Sequence, residues 1–258
     1  MLFSLYRSIL FNGSESPAIK KCACGGVPPF QVFDERGEHG WCPCKSARTS
    51  LSAAKKAFQV SQIPKKYLWK FYEDFDKTEA NANKLVGLAS TIRETPPGKK
   101  WTEGFYFWGS PGSGKTLLAC IILQELMLKY ALSGRFVDIS RQFFQRLKRS
   151  YDATDESYGT EGQILDELID VPFLVIDDFG VQRNTEWESE MLYNLIDARY
   201  EHEHVTLITS NVNISEFSGV AHGRIHSRIK EMCSIYKVDL PDFRNRFANE
   251  VNFDKPSR

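Results

Sequence analysis

The chain has 258 residues, 42% of them hydrophobic and 13% aromatic, enough for a core of domain size. Lysine plus arginine and aspartate plus glutamate both number 33, so the formal net charge is zero. That balance excludes a global positive field as the basis of nucleic-acid binding, which must then be local, and no apolar run is long enough to span a membrane.

At the start of the chain, Leu2, Leu5, Tyr6, Ile9 and Leu10 recur at helical spacing and predict a short amphipathic helix, broken by Asn12-Gly13-Ser14. Arg7 lies inside this apolar stretch, which lacks a basic start and a small-residue cleavage site. It does not read as a signal peptide, and the expectation is a cytoplasmic protein without structural disulfides. Four of the six cysteines then form two close pairs, Cys22-Ala23-Cys24 and Cys42-Pro43-Cys44. Glycines follow the first pair and precede the second. Two such pairs can converge on one tetrahedral Zn²⁺, although C-x-C is tighter than the usual C-x₂-C, and His39 is a substitute ligand. So short a segment needs the metal for much of its stability. Residues 45–60 read as a helical connector. The expected organisation is an N-terminal cysteine-rich module over residues 1–55 and a larger domain over 56–258.

Order resumes at Ile63-Pro64-Lys65-Lys66-Tyr67. A helix is expected over 81–92, with Leu85, Leu88 and Ile92 on one side, and a turn over 95–100. Phe105, Tyr106, Phe107 and Trp108 form an aromatic, strand-like run. Gly109-Ser110-Pro111-Gly112-Ser113-Gly114-Lys115-Thr116 follows and fits G-x-x-x-x-G-K-[ST] without a gap, and an apolar helix runs on to about Tyr130. Strand, glycine loop and helix are the context this phosphate-binding pattern requires. The glycines let successive N–H groups point into one concavity at a helix N-terminus. Lys115 is placed for the β- and γ-phosphates, and the Thr116 hydroxyl for Mg²⁺.

Residues 135–139 read as a second strand, and Ser140 as the cap of a helix carrying Phe143, Phe144 and Leu147 among Arg141, Arg146, Lys148 and Arg149. Residues 171–178 form a continuous apolar run that ends in Asp177 and Asp178, as suits a strand buried on both faces of a parallel sheet. Trp187, Met191, Leu192, Leu195 and Ile196 lie at helical spacing. Residues 205–209 give a fourth strand, ending at Ser210-Asn211, and 235–240 a fifth. Strands alternating with helices predict a doubly wound, five-stranded α/β sheet, whose ligand sits at the carboxyl ends of the strands. There Asp177 can share Mg²⁺ with Thr116 and the nucleotide, Asp178 can polarise the attacking water, and Asn211 can orient that water or sense the γ-phosphate.

As a set, residues 109–116, Leu174-Val175-Ile176-Asp177-Asp178-Phe179-Gly180 and Thr209-Ser210-Asn211 resemble the motifs of AAA+ ATPases of the DnaC/DnaI/IstB group. Residues 63–67 and Phe75-Asp76 are similar to that group's lead-in, and Gly180-Val181-Gln182-Arg183 to its DnaC helicase-loader branch. The likeness covers about residues 60–250. It implies an ATPase with an arginine finger acting in trans, hence self-association. Arg228 in Gly223-Arg224-Ile225-His226-Ser227-Arg228-Ile229 matches the finger, with Arg224 second, and Arg244 the late sensor arginine. Many AAA+ enzymes carry Glu where this chain has Asp178, although Asp is common in this subgroup. The resemblance also implies an ATP-dependent loader of a replicative helicase onto single-stranded DNA, with the N-terminal module on the helicase and the ATPase domain on DNA. A transposition helper ATPase of the IstB kind and a zinc-dependent adaptor with little hydrolysis are the alternatives. The 141–151 helix lies where related ATPases contact single strands. Its residues suit base stacking with phosphate contact, and equally an ordinary amphipathic helix with Phe143 and Leu147 in the core.

Overall fold

The computed structural model describes residues 23–25, 28–33, 37–42, 44–76, 80–96, 98–180, 185–216 and 220–243. The helix expected within residues 1–11 lies outside them. The chain divides into two compact units, residues 1–59 and 60–258.

In the first unit a two-stranded hairpin, β1 (Gln31–Phe33) and β2 (His39–Trp41), leads into helix α1 (Cys44–Val60). Polar and glycine-rich around its turn, the hairpin had no apolar alternation to reveal it in the sequence. The connector helix is found as expected.

The second unit is built on one parallel sheet. Its strands are β3 (Gly104–Trp108), β4 (Gly134–Asp138), β5 (Phe173–Phe179), β6 (Val205–Ser210) and β7 (Cys233–Lys237), in the order β4-β5-β6-β3-β7. Every neighbouring pair is parallel. The strands are apolar on both sides because both faces are covered. Tyr106, Val137, Leu174, Ile176 and Ile208 enter the cluster formed with helices α4 (Gln145–Ser150), α5 (Glu161–Ile169), α6 (Glu186–Glu201) and α7 (Val220–Met232). The alternate residues Phe105, Phe107, Phe136, Val175 and Leu207 are equally buried and point the other way. On that side helix α3 (Lys115–Tyr130) packs on β5 and β6 and against α2 (Ala80–Glu94). Covered from two sides, α3 is buried continuously from Leu118 to Met127. The stripe of α2 that meets it is Ala82, Leu85, Val86, Ala89 and Ile92, with Leu88 at its half-buried margin.

Two elements differ from the sequence expectation. The fifth strand begins two residues early, at Cys233, and ends at Lys237. Val238 still donates its N–H to the Trp108 carbonyl, at 2.7 Å, but the chain then turns across the end of β3. The cap after β4 is Asp138, not Ser140: the Asp138 carboxylate accepts the Arg141 N–H at 2.8 Å. Residues Ile139–Phe144 form a π-helix before α4 begins. A carboxylate two residues earlier reaches a free N–H of this wider turn, which a serine inside it does not.

One buried charge ties these layers together. Arg199 on α6 is fully buried. It donates to the carbonyls of Leu168, Ile169, Val171 and Val205 and to the Thr206 hydroxyl, at 2.7–3.0 Å. Burial pushes its pKa down to about 9, but five acceptors, two of them at the negative end of α5, favour the charged form.

Candidate nucleotide and metal sites

The glycine loop leaves the carboxyl end of β3 at the point where the strand order reverses, β4, β5 and β6 lying to one side and β7 to the other. Two of its glycines have specific causes. A Cβ on Gly109 would overlap the Val238 carbonyl, and one on Gly112 would overlap the Asp242 carboxylate. Gly112 also has φ +82°, left-handed backbone that a side chain strains. The Phe243 N–H is donated to the Gly112 carbonyl, at 3.2 Å. The segment after β7 therefore lies directly on the loop, which only residues without a side chain permit.

Lys115 opens α3 and is 6% exposed, its ammonium donating to the Gly109 and Ser110 carbonyls, both at 2.8 Å. The Ser113 hydroxyl is buried without a hydrogen-bond partner among the described residues. An unsatisfied buried donor beside a helix N-terminus fits an anion such as phosphate.

Asp177, at the end of β5, is 8% exposed. The Thr209 hydroxyl donates to its Oδ1 at 2.6 Å, and the Thr116 hydroxyl also bonds to it. Burial pushes its pKa up to about 6 against the pull of those two hydroxyls, and the nearby Asp178 and Asp138 charges raise it further. A buried carboxylate beside a threonine hydroxyl, facing a phosphate loop, fits a Mg²⁺ site by the chemistry of its oxygen donors. Asp178 follows at φ +56°, where the pairing of β5 with β6 shifts register between Ile176 and Phe179. This irregularity turns two consecutive carboxylates toward one end of the sheet, when regular pleating would send them to opposite faces. Asn211 follows β6 on a turn held twice: Ser210 Oγ donates to the Phe179 carbonyl at 2.7 Å, and Tyr106 donates to the Val212 carbonyl at 3.0 Å.

One cavity of about 640 Å³ has Pro111, Gly112, Gly114, Lys115, Thr116, Asp178 and Asn211 on its walls, and Asp177 joins it through its bond to the Thr116 hydroxyl. Tyr67, Phe75 and Phe243 give it an aromatic end, and Arg141 lines it too. The structure thus brings together the residues that the sequence placed at three strand ends. Gln124 was missed. Buried on α3, it accepts the Trp69 N–H at 2.6 Å and donates to the Tyr67 and Lys70 carbonyls at 3.1 and 2.9 Å. It fixes the turn that carries Tyr67 into the cavity. Its only sequence signal is a polar pair, Gln124-Glu125, inside an otherwise apolar helical stretch.

Arg228 lies away from this cavity, on α7. It pairs with Asp197 on α6 at 2.7 Å, and its guanidinium stands 4.3 Å from the Tyr200 ring centre. Arg224 is exposed, 5.9 Å from the Tyr193 ring centre. Arg244 and residues 181–183 lie outside the described residues. In the 141–151 segment Phe143, Phe144 and Leu147 are at most 2% exposed. Phe143 and Phe144 are thereby removed as stacking platforms, because these rings fill the core under the sheet, while Tyr151 is 49% exposed. Arg146 pairs with Glu167 and Lys148 with Glu188, both at 2.9 Å.

In the N-terminal unit the sulfurs of Cys24, Cys42 and Cys44 lie within 4.8 Å of one another, Cys24 and Cys44 at 3.5 Å. Two thiolates on one tetrahedral Zn²⁺ are ~3.8 Å apart, so this donor set fits the ion. The Cys44 N–H is the main cause that lowers the Cys42 pKa to about 6. The fourth expected ligand, Cys22, lies outside the described residues. Cys120 and Cys233 are buried elsewhere, and burial raises both thiols. No helix among the described residues is long and apolar enough to cross a membrane.

Comparison with known proteins agrees with this geometry. The chain is 31% identical to the replicative helicase loader DnaC of Escherichia coli K12 over 149 residues, 57% of this chain and 58% of that protein. The match therefore spans less than two thirds of that relative. A crystal structure of DnaI superposes with TM-score 0.56 at 25% identity, covering 70% of this chain and 94% of that one. One of the DnaC helicase loader gives TM-score 0.54 at 27% identity, covering 67% and 99%. Residues 48–227 match the family described as IstB-like ATP binding protein, and the chain belongs to that family.

Proposed function

We propose that the chain hydrolyses ATP and uses it to load a replicative DNA helicase onto single-stranded DNA. The observation that carries this reading is the shared cavity. A glycine loop, the Asp178 carboxylate and Asn211, from three strand ends, face one space, in a chain 31% identical to a replicative helicase loader. In this reading the loop N–H groups and Lys115 hold the phosphates, while Asp178 draws the proton of the attacking water and Asn211 orients that water. Mg²⁺ held by Thr116 and Asp177 would offset charge building on the phosphate oxygens. Arg228 acts at a neighbour's nucleotide, with Arg244 as a second sensor, so copies must assemble. The cysteine module, residues 1–55, is held by Zn²⁺ and meets the helicase. With Phe143 and Phe144 in the core, single strands meet the ATPase domain through phosphate contacts rather than base stacking.

The IstB-like family description supports a transposition helper as the second reading. A purified replicative helicase, circular single-stranded DNA and ATP separate the two. A loader places the helicase on the circle only with ATP, and a helper leaves it in solution. Lys115→Ala should abolish tight ATP binding, because it removes a ground-state phosphate contact. Asp178→Asn should keep binding and lose turnover, because that carboxylate acts on water during the reaction. Equal loss of binding in both would contradict the division of roles.

A further inference from the structure

We propose that Arg141 is a γ-phosphate contact supplied in cis, from the outermost strand of the sheet. The inference rests on the nucleotide reading above and adds a residue that neither the glycine loop nor the carboxylate pair contains.

Arg141 stands in the π-helix that follows β4. The end of β4 lies beside the end of β5, with Asp138 in register with Asp177. Arg141 thus comes from the strand beyond the carboxylates, with β5 and β6 between it and the strand that carries the loop and Lys115. It lines that cavity together with Lys115, Thr116, Asp178 and Asn211. π-Turns are rare and concentrate at functional sites. This one is pinned from beneath: Phe143 and Phe144 are 1% and 2% exposed, and Asp138 accepts the Arg141 N–H at 2.8 Å. Backbone and side chain have opposite fates here. The backbone is fixed, while the side chain is 81% exposed and its Nε only reaches Asp138 Oδ2 at 3.5 Å.

That ion pair is long, exposed and not bidentate, so it holds the guanidinium weakly. The terminal oxygens of a triphosphate offer the planar, bidentate partner that arginine takes best. Position then decides which phosphate is met. Lys115 and the loop amides lie at the N-terminus of α3 and take the phosphates closest to it. A cation on the far wall reaches only the distal one. Asp74, Asp76 and Asp178 also line the cavity, and among the described residues that line it Lys115 and Arg141 are the cationic ones. Arg141 therefore distinguishes a triphosphate from a diphosphate within a single copy of the chain.

The test uses the full chain with Mg²⁺, at concentrations where it is monomeric, and titrates ADP and the non-hydrolysable β,γ-imido analogue of ATP. Arg141→Ala should lower affinity for the analogue about tenfold and leave ADP affinity within about twofold, the scale of one charge-assisted hydrogen bond. Arg141→Lys should recover part of the loss, since it restores charge without the fork. ADP affinity also reports that the variant folds. Equal changes for both nucleotides, including no change, overturn the proposal. So does a loss confined to concentrations at which copies assemble, which would give Arg141 to a neighbour's site. A loss of single-stranded DNA affinity with nucleotide preference unchanged overturns it as well. Failure of the unmodified chain to bind either nucleotide overturns the nucleotide reading itself, and this contact with it.

Discussion

The Thr209 hydroxyl donates to Asp177 Oδ1 at 2.6 Å. The Thr209 hydroxyl oxygen in turn accepts the Asp178 N–H at 3.1 Å. One side chain on β6 thus orients the buried carboxylate and fixes the backbone of the residue that carries the other. Asp177 has its pKa raised from 3.8 to about 6, chiefly by burial. The protonated form is thereby favoured in the folded chain. Its contribution to stability is full below pH 3.8 and is lost as the pH rises to about 6. Binding of Mg²⁺ needs the ionised form, so Mg²⁺-dependent nucleotide affinity should rise with pH through about 6. Thr209→Val removes a hydrogen bond that favours ionisation. It should move that midpoint to higher pH and cost about 1–3 kcal/mol of stability, because the Asp178 N–H loses its acceptor. Nucleotide titrations from pH 5 to 8 check this. An unchanged midpoint would remove Thr209 from any role in the ionisation of Asp177.

The fully buried Arg199 has a structural consequence. Truncating it strands four carbonyls and a hydroxyl that link the end of α5, the approach to β5, and β6. Arg199→Met keeps most of the volume and offers no donors, and should cost about 3–5 kcal/mol. Urea unfolding measures it. A cost below about 1 kcal/mol would mean that the carbonyls find water once the guanidinium is gone.

The sheet was legible in the sequence because a strand buried on both faces must be apolar throughout. Residues 105–108, 171–178 and 205–209 announce themselves in that way. Strand β7 was placed two residues late because its burial alternates, with Ser234, Tyr236 and Lys237 among its five residues. Helix α5 was not anticipated, since only Ile164 and Leu168 of its nine residues are fully buried, with Leu165 and Ile169 half-buried beside them among polar residues. The phosphate loop and both carboxylates were readable because their chemistry needs particular residues at fixed spacing. Thr209, Gln124 and Arg141 were not assigned their positions, because the cavity gathers them through pairings between strands that are far apart in sequence. The same limit applied to Phe143 and Phe144: aromatics among arginines suit a stacking surface or a core, and only the packing of the 139–150 segment under the sheet separates the two.

In the N-terminal unit three sulfurs already lie at the spacing a tetrahedral ion requires. The protein as purified should carry one Zn²⁺ per chain, measurable by elemental analysis. Cys42→Ser should lose it and unfold this unit while the second unit keeps its nucleotide affinity. Cys42 has its pKa lowered to about 6, first by the Cys44 N–H, so its thiolate is available at neutral pH. Zinc release should accordingly sharpen as the pH falls below about 6. Protein free of zinc that keeps its melting behaviour would refute the metal site.

Arg228 gives the last prediction, and its ion pair sharpens what to measure. Its side chain is 33% exposed, with the guanidinium held between Asp197 and the Tyr200 ring. Asp197 is the leading cause that raises its pKa, so it is charged at any working pH. A pair this exposed contributes about 0–1 kcal/mol, which makes Arg228 replaceable without unfolding the chain. If it completes a neighbour's site, Arg228→Ala should leave nucleotide affinity unchanged in dilute, monomeric protein. Turnover should fall by about 10³-fold, the low end for a trans-acting arginine, once copies assemble. Asp197→Asn provides the control that separates a finger from a surface pair. It leaves the arginine in place with one partner fewer, so turnover in the assembled state should be kept or raised. If the two variants instead lose the same small amount of stability and neither changes turnover at any concentration, the pair is structural. The role would then pass to Arg224, four residues earlier, which is exposed on the same helix.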